Sequence, residues 1–258
     1  MKLAFGVEYD GSKYFGWQSH IKKYSIKDHL EFSISKIADE KIDIFCAGRT
    51  DSGVHAYNQV IHFETKNFRN IRSWIFGVNS ILPKDISIIW AKYVSRDFHA
   101  RHSAISRSYR YIIYNNFIRS SILKNRVNHV FFSLDIKKMK KSSKCLIGEH
   151  DFSSFRASGC QSYTPWREVK SIQVYKYKKF FIIIDIIANS FLYHMVRNIV
   201  GSLIEIGRCK KKKSWLLYLL KSKNRSLCGP TVSSKGLYLL SVEYPKEFKI
   251  QTSSLFFL

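Results

Sequence analysis

The succession of hydrophobic patterns over residues 1–105 restricts the fold more than any other feature of this chain. Apolar runs predict four strands, and apolar residues at helical spacing predict two helices. Ser25 with Asp28 resembles a capping box at the start of the first helix, and Pro83 ends the second. In chain order the predicted elements are strand 3–9, helix 26–37, strand 42–47, strand 58–64, helix 70–81 and strand 86–94. This β-α-β-β-α-β order is the split βαβ arrangement of ferredoxin-like folds.

Residues 106–258 are expected to repeat this order of elements, although the two halves share no recognisable sequence identity. The predicted elements are strand 108–115, helix 135–147, strands 169–177 and 180–188, helix 192–207, helix 214–222 and strand 236–244. Helix 214–222 is an insertion that follows the lysine run Lys210–Lys213. We therefore predict an α+β protein with two ferredoxin-like halves, 1–105 and 106–258, whose sheets are largely antiparallel and are joined around a central cleft.

Composition excludes several classes of protein. The chain has 258 residues and 45% hydrophobic content, which suits a sizeable core and argues against disorder. No apolar stretch reaches the length of a membrane span, and the N-terminus shows no signal-peptide pattern, so we expect a soluble cytoplasmic protein. The five cysteines form no C-x-x-C pair, which argues against a disulfide scaffold or a zinc site. The sequence has neither a nucleotide-binding glycine loop nor an acidic cluster for a two-metal centre.

The charge balance indicates a polyanionic partner. Lys and Arg total 43 against 19 Asp and Glu, which gives a formal net charge of +24. A lysine-rich composition bias explains part of this excess, but it does not explain why the arginines cluster in motifs. Nucleic acid is therefore the partner class that the charge favours.

One polar loop, Gly48–Gly53, interrupts the strand-like runs of the first half. It contains a single carboxylate, Asp51, which stands two residues after Arg49. The glycines at its ends permit backbone angles or close approaches that a side chain would forbid. This pattern is typical of a loop that holds one reactive acid, and an ordinary hairpin turn would have a similar sequence.

Other segments combine basic and aromatic residues. Arg96–His102 and Ser106–Tyr111 together contain four arginines and two histidines among aromatic residues. Such a mixture can contact phosphates while a ring stacks on a base, and we favour this RNA-binding interpretation over a solvated strand face. The loop Phe155–Arg167 is either an RNA-contacting loop or a surface connection. Arg197, on the flank of the predicted helix 192–207, would by itself more often extend along the surface into solvent.

These motifs resemble those of the tRNA pseudouridine synthase A family. The loop Ala47–Ala56 matches the catalytic loop of that family. Further matches are Val7–Gly11, Gly16–Gln18, Phe98–Arg101, Tyr109–Tyr111, Phe152–Phe155, His194–Asn198 and Gly236–Leu239. Because the matches cover nearly the whole chain in the order of the family, the resemblance is specific.

The resemblance implies conversion of uridine to pseudouridine at positions 38–40 of tRNAs, on the 3′ side of the anticodon stem-loop, without metal or cofactor. It also implies a homodimer that holds tRNA across basic clefts formed by both subunits. By this match Asp51 is the catalytic carboxylate, Tyr109 stacks on the target base, and Arg197 pairs with Asp51. The residues implied in tRNA contact are Arg49, Phe98, His99, Ala100, Arg101, His102, Gly159, Cys160, Gln161, Ser162 and Tyr163.

The residues leave both the mechanism and the function class open. An ionised Asp51 can act as a nucleophile, at the sugar C1′ or the base C6, or as a base. A non-catalytic RNA-binding module or tRNA chaperone of the same fold is the alternative that net charge alone supports, and a metal-dependent RNA nuclease is a weaker third. Extrusion of the target uracil costs a few kcal/mol, and stacking on Tyr109 would return roughly 1–3 kcal/mol.

Overall fold

The computed structural model describes residues 1–18 and 25–250, and these fold into two compact units. The first unit contains the described part of Met1–Arg107 together with the described residues from Tyr238 onward, and the second contains Ser108–Leu237. The chain first passes between the units close to the predicted boundary at residues 105 and 106. The sequence predicts the last strand within the second half, whereas from Tyr238 onward that strand belongs to the first unit.

The described residues contain ten strands and five α-helices, in an order close to the predicted one. They are β1 (Lys2–Tyr9), α1 (Ile26–Ala38), β2 (Phe45–Cys46), β3 (His55–Glu64), α2 (Ile71–Ile81), β4 (Ile86–Val94), β5 (Ser106–Asn115), β6 (Asn128–Val130), α3 (Ile136–Ser143), β7 (Gly148–Asp151), β8 (Trp166–Tyr177), β9 (Phe181–Ala188), α4 (Met195–Gly207), α5 (Trp215–Ser222) and β10 (Leu237–Glu243). Both units are therefore mixed α/β structures, as expected.

The first unit is built on a mostly antiparallel sheet with β1 near its centre. β1 pairs with β3 on one side and with β4 on the other, in registers that place Leu3 opposite Phe63 and Tyr93. On its other edge, β3 pairs with β2, where Phe45 lies opposite His62. The first residues of β3 pair on this edge with β10. The pairing of β10 with β3 is parallel. This last pairing is the reason that the C-terminal strand belongs to the first unit.

Aromatic side chains form the core between this sheet and α2. The rings of Phe5 and Phe63 meet edge to face at 5.0 Å, and both lie against Trp74, at 6.0 and 5.6 Å. All three side chains are fully buried. The predicted capping box of α1 is confirmed, because Ser25 Oγ accepts from the Asp28 N–H (3.1 Å) while the Asp28 carboxylate accepts from the Ser25 N–H (3.0 Å).

The predicted strand 42–47 is wrong over most of its length, and only two of its residues pair in the sheet as β2. The N–H of Ile42 donates to Ser35 Oγ (2.9 Å), and the N–H of Ile44 donates to Glu31 Oε1 (2.9 Å). Side chains of α1 therefore satisfy these backbone groups in place of a neighbouring strand. Ile42 and Ile44 are nevertheless buried, which explains why the hydrophobic pattern predicts a strand.

The strands of the second unit follow the order β5-β9-β8-β7. β8 and β9 form the long antiparallel pair that the sequence predicts, with Tyr177 opposite Phe181 at the turn. β7 pairs antiparallel with β8, and β6 pairs in parallel with β5. Sequence analysis misses β6 and β7 because strands of three and four residues are too short to show an alternating pattern.

Helix α4 is the most deeply buried helix among those described, and it begins later than predicted. Leu192 is placed inside the helix by its spacing, but the structure begins the helix at Met195. His194 has φ +59°, in the left-handed region, and a residue in that conformation cannot extend the helix toward its N-terminus. Among residues 1–18 and 25–250, no helix has the length and apolar content needed to cross a membrane.

Candidate functional site

The loop that contains Asp51 connects β2 to β3, and hydrogen bonds to its backbone hold it in place. The N–H of Trp17 donates to Thr50 O (3.0 Å). The side-chain amide of Gln59 donates to Gly48 O (2.6 Å). Asp51 itself is half-buried. The carboxylate therefore lies on a backbone whose path is fixed on both sides of it.

Close approach of the backbone at Gly16 also shapes this loop. Gly16 has φ +90°, and a Cβ at this position would lie 2.7 Å from Thr50 O and 3.0 Å from Asp51 C. Gly53 has φ +75°, which is the left-handed conformation expected of a loop glycine. Gly48 does not lie in that region. Gly53 therefore has the backbone angle expected of a loop glycine, and the close approach at Gly16 adds a second glycine from a neighbouring segment.

His55 is the first residue of β3 and lies just after the C-terminal end of the loop. Its Nδ1 accepts from the N–H of Gly11 (3.2 Å), and its ring stacks on Tyr238 of β10, with centroids 4.6 Å apart. Within the loop, the hydroxyl of Thr50 forms a hydrogen bond of 2.8 Å with the hydroxyl of Tyr9. Sequence reasoning does not assign His55 or Tyr238 to the site. His55 lies within the matched loop, but nothing local in the sequence indicates the ring that stacks on it.

Arg107 is a buried structural arginine. Its guanidinium donates to the carbonyl oxygens of Ala47 (2.9 Å), Arg101 (2.7 Å) and Ala104 (3.2 Å). These bonds bring the base of the Asp51 loop next to the segment 98–102. The Arg107 side chain is therefore directed into the first unit and is not exposed for contact with a phosphate.

Within the segment 98–102, only some of the predicted tRNA-contacting residues are exposed. The side chains of Phe98 and Ala100 are fully buried, whereas Arg101 and His102 are exposed. His99 Nδ1 accepts from the N–H groups of Arg101 (3.1 Å) and His102 (3.2 Å), which folds the segment into a tight turn. Phe98 and Ala100 thus hold the segment in place by packing into the core, whereas the side chains of Arg101 and His102 are accessible from solvent.

The imidazole rings of His62, His99 and His102 form a cluster at this turn. The ring of His99 is 4.5 Å from that of His62 and 4.3 Å from that of His102. Burial, followed by the nearby cationic groups, lowers the pKa of His99, and burial lowers the pKa of His62 to about 4. His62 Nδ1 also accepts from the N–H of Ala100 (3.1 Å). At neutral pH His62 and His99 therefore contribute uncharged rings, and Arg101 supplies positive charge.

On β5 of the second unit, Tyr109 and Arg110 face opposite sides, as the strand pattern predicts. Tyr109 is 8% exposed, and its ring meets Phe191 edge to face at 4.9 Å. Arg110 forms a bidentate ion pair with Asp185 (2.8 and 2.9 Å), which also accepts from the Tyr175 hydroxyl (3.0 Å). The hydrogen bond with Asp185 raises the pKa of Arg110. The charge of Arg110 is thus already balanced within the unit.

Arg197 lies on α4 and is half-buried at the side of the helix. Its Nε donates to Val232 O (2.8 Å). The next residue, Asn198, is fully buried, and its amide donates to Phe155 O (2.8 Å). Asn198 Oδ1 accepts from the hydroxyl of Thr231 (2.6 Å). These bonds fix the segment near Thr231 and Val232 against the helix and set the direction of the Arg197 side chain.

The loop that contains Gly159–Tyr163 is held by the arginines at its ends. Arg156 Nη2 donates to Cys160 O (2.7 Å) and Ser162 O (2.9 Å). Arg167 donates to Thr164 O (2.9 Å), and it also donates to the hydroxyl of Ser162. Gly159 has φ +78°, Tyr163 is fully exposed, and Gln161 is exposed. The N–H of Tyr193 donates to Cys160 Sγ (3.4 Å), which places this loop beside the start of α4.

The structure thus brings the predicted residues together in two groups, one in each unit. The first group joins the Asp51 loop to the segment 98–102 through Arg107, and the second joins the loop 159–163 to the beginning of α4. Pairing of Arg197 with Asp51, and stacking of the target base on Tyr109, stay predictions. Within the described residues, no cluster of three or more His, Cys, Asp or Glu side chains could hold a metal ion.

Comparison with known proteins identifies the class. Residues 6–103 and 143–245 match a family described as tRNA pseudouridine synthase. The chain is 53% identical over 258 residues to the tRNA pseudouridine synthase A of Buchnera aphidicola subsp. Acyrthosiphon pisum (strain APS), covering 99% of this chain and 97% of that protein. It is 51% identical over 255 residues to the protein of the same name from Actinobacillus pleuropneumoniae serotype 7 (strain AP76), with the same coverage. The chain therefore belongs to the tRNA pseudouridine synthase family.

Two further comparisons differ in their strength. The tRNA pseudouridine synthase A of Haemophilus influenzae (strain PittGG) is 53% identical over 250 residues, which cover 97% of this chain and 93% of that protein. Among solved structures, the chain is similar to one in the crystal structure of the archaeal box H/ACA sRNP Nop10-Cbf5 complex, with 10% identity and a TM-score of 0.37. That likeness covers 78% of this chain and 42% of the other chain, and it is too distant to support any conclusion.

Proposed function

We propose that Asp51 is the catalytic carboxylate with which this chain converts uridine to pseudouridine in tRNA, and that its targets lie on the 3′ side of the anticodon stem-loop. Membership of the tRNA pseudouridine synthase family supports the reaction. The observation that carries the assignment of Asp51 is its position, half-buried on a loop whose backbone is fixed at Gly48 and Thr50. A fixed loop holds a reacting group in place before the substrate arrives.

The reaction is an isomerisation, so it consumes no oxidant, reductant or water. The N1–C1′ bond of the uridine breaks, the uracil turns over, and a C5–C1′ bond forms. The proton on C5 is lost, and N1 gains one. A carboxylate such as Asp51 can add to C1′ or C6 and later leave, or it can accept a proton. Each of these roles requires the ionised form and a fixed position against the sugar or the base.

We assign the other matched residues to substrate binding. In this proposal Tyr109 stacks on the target base, Arg197 pairs with Asp51, and Arg49 contacts tRNA close to the reacting nucleotide. Arg49 and Arg101 are exposed, and exposed guanidiniums can form charge-assisted hydrogen bonds with phosphates, which supports this contact. The exposed residues Gln161 and Tyr163 are the parts of the second loop best placed to touch RNA.

The decisive experiment replaces Asp51 with Asn and measures tritium release from tRNA that carries 5-³H-uridine. We expect a loss of at least roughly 10²–10⁴-fold, because the amide is neutral and neither attacks nor accepts a proton. Asp43→Asn is the matched control, since Asp43 is exposed and lies only a few residues before the loop. Pseudouridine mapping of the product tRNA identifies which uridines are converted. Activity that survives in Asp51→Asn would exclude this assignment.

The remaining expectations are also proposals. We propose a homodimer in the cytoplasm and a ferredoxin-like arrangement in each unit. The antiparallel pairing of β1 with both β3 and β4, together with β2 on β3, supports that arrangement in the first unit. Sedimentation equilibrium of the protein with and without tRNA tests the dimer, because a monomer would have half the expected mass.

A further inference from the structure

A cleft in the second unit is lined by residues to which the proposed function assigns no role. Its volume is about 740 Å³, and it opens beside the beginning of α4. The lining residues are Ser153, Arg156, Ala157, Ser158, Tyr193, His194, Arg225 and Thr231. None of these side chains is acidic, and the volume lies within the range of small-molecule sites, about 300–1,000 Å³. The cleft is thus large enough for a nucleotide and positive in charge.

Two guanidiniums of the cleft are fixed in position before any ligand binds. Arg156 donates from Nη2 to Cys160 O and Ser162 O, so its Nε and Nη1 are not used in these bonds. Arg225 donates from Nη2 to Asn198 Oδ1 (3.0 Å) and Thr231 Oγ1 (2.9 Å) and from Nη1 to Gly229 O (3.2 Å), so its Nε is not used in these bonds. No carboxylate of the described residues pairs with Arg156 or Arg225. Two half-buried, pre-oriented cations without a carboxylate are typical of an anion site.

An aromatic platform lies in the same cleft. The ring of Tyr193 stacks on that of His194, with centroids 3.9 Å apart and planes at 29°. Tyr193 is still 45% exposed. Its backbone is held by the bond from its N–H to Cys160 Sγ and by the Ala157 N–H, which donates to its carbonyl (3.1 Å). A supported, exposed ring beside fixed cations suits a base and its phosphate.

We propose that this cleft binds a second nucleotide of the tRNA, other than the target uridine. Its base stacks on Tyr193, and its phosphate lies against Arg156 and Arg225. The inference rests on the proposed function, because it takes tRNA as the ligand and assigns the target base to Tyr109. Tyr109 is 8% exposed and edge-on to Phe191, so it and Tyr193 are separate platforms. The N-terminal end of α4 adds a favourable dipole for the phosphate.

The first test measures equilibrium binding of an unmodified tRNA transcript to Asp51→Asn protein, so that no conversion occurs during the measurement. Tyr193→Ala should weaken binding about tenfold, because one base stack is lost. Tyr193→Phe keeps the ring and should bind within about twofold of the parent. If Tyr193→Ala also binds within twofold of the parent, the cleft does not hold a base and the inference is wrong.

A second pair of variants tests the phosphate without removing a structural arginine. Ser158 is exposed on the cleft, so Ser158→Glu adds a negative charge there and Ser158→Gln adds only size. We expect Ser158→Glu to weaken tRNA binding about tenfold, while Ser158→Gln binds as the parent does. Arg119→Gln, at an exposed arginine, controls for the general effect of net charge. Equal losses in Ser158→Glu and Arg119→Gln would mean that no specific anion site exists.

A third measurement separates the second nucleotide from the target. The transcript is remade with cytidine at every uridine that the wild-type protein converts. The tenfold effect of Tyr193→Ala should persist with this transcript, and its disappearance would mean that Tyr193 contacts the target itself. These binding readouts do not depend on Asp51 chemistry. Failure of the cleft therefore leaves the Asp51→Asn activity test intact, and an active Asp51→Asn protein leaves the cleft test interpretable.

Discussion

The two polar loops of this chain, Gly48–Gly53 and Phe155–Arg167, use arginine in opposite ways. In the first, Arg49 is exposed and the loop is shaped by backbone hydrogen bonds and by the close approach of Gly16. In the second, Arg156 and Arg167 shape the loop themselves by donating to its carbonyl oxygens. The sequences of both loops suggest contact with RNA, but only in the first is the arginine side chain exposed.

The difference teaches that an arginine in a motif is not automatically a phosphate contact. Of the four arginines in Arg96–Tyr111, Arg107 is directed into the first unit and Arg110 is paired with Asp185. Arg96 and Arg101 are exposed. Where internal partners already use the N–H groups of a guanidinium, those bonds must be lost before the same groups can bind a phosphate. The formal net charge therefore overstates the positive charge that is available to tRNA.

The largest expected effect compares the glycines that support the two loops. Gly16→Ala combines a positive φ with a Cβ 2.7 Å from Thr50 O, and we expect it to reduce the free energy of unfolding by about 2–4 kcal/mol. Gly159 also has positive φ, but nothing lies within 4 Å of an added Cβ. Gly159→Ala should therefore cost only about 1 kcal/mol. Urea unfolding measures both.

The same pair of variants also tests how function depends on loop position. Gly16→Ala should lose much of the pseudouridine-forming activity even under conditions where it is folded, because the strain is relieved at Thr50 and Asp51. Gly159→Ala should retain most of the activity, since the Asp51 loop is unchanged and an added Cβ at residue 159 meets no neighbouring atom. Equal losses of stability in the two variants would contradict the contrast between a packed loop and an open one.

The next effect comes from exchanging arginine for lysine, which keeps the charge but loses the planar fork of donors. Arg167 is 7% exposed and bonds to several oxygens of its own loop, so Arg167→Lys should reduce the free energy of unfolding by about 1–3 kcal/mol. Arg49 is exposed, and Arg49→Lys should change it by less than about 0.5 kcal/mol. Thermal or urea unfolding at matched salt checks both values.

For tRNA binding we expect the opposite order: the neutral variant of Arg49 should have the larger effect and that of Arg167 the smaller. Arg49→Gln removes an exposed charge beside Asp51, so we expect weaker tRNA binding and a smaller dependence of the affinity on salt. Arg167→Gln should change the salt dependence little, because Arg167 is already bonded inside the protein. A large salt effect at Arg167 would show that it contacts phosphate after all.

The order of elements in the first unit could be predicted from the sequence because its strands and helices are long enough to show a period. The short β6 and β7 give no such signal, and the strand predicted at 42–47 fails because two of its N–H groups bond to side chains of α1. The assignment of the last strand to the first unit also could not be predicted. Parallel pairing of β10 with β3 joins residues far apart in the sequence, and no local pattern specifies it.

The candidate site could be predicted only in part, for a related reason. Asp51 and Arg49 were found because their loop has a distinctive sequence. The support from His55 and Tyr238, and the platform of Tyr193 on His194, depend on tertiary packing. Burial of Phe98 and Ala100 is likewise a property of the folded unit. Sequence motifs identify the segments that form the site. Packing in the folded unit determines which side chains of a segment are buried and which are exposed to a ligand.

The smallest expected effect concerns two thiols, one near each loop, that are both half-buried. Burial raises the pKa of Cys46, which lies just before the first loop, to about 12. At Cys160 burial also raises the pKa, but N–H donors from Tyr193 and Ser162 and the nearby Arg156 outweigh it, so the pKa is lowered. Iodoacetamide reacts with the thiolate, so near pH 8 it should modify Cys160 well before Cys46.

The pH dependence of this reaction has a definite sign. A lowered pKa means that the thiolate forms at lower pH, so the alkylation rate of Cys160 should level off at a lower pH than that of an ordinary thiol. The rate at Cys46 should still be rising at pH 9. Peptide mass spectrometry after timed alkylation measures both rates in one sample. Arg156→Gln should move the Cys160 profile to higher pH, and an unchanged profile would mean that Arg156 does not shape the second loop as described.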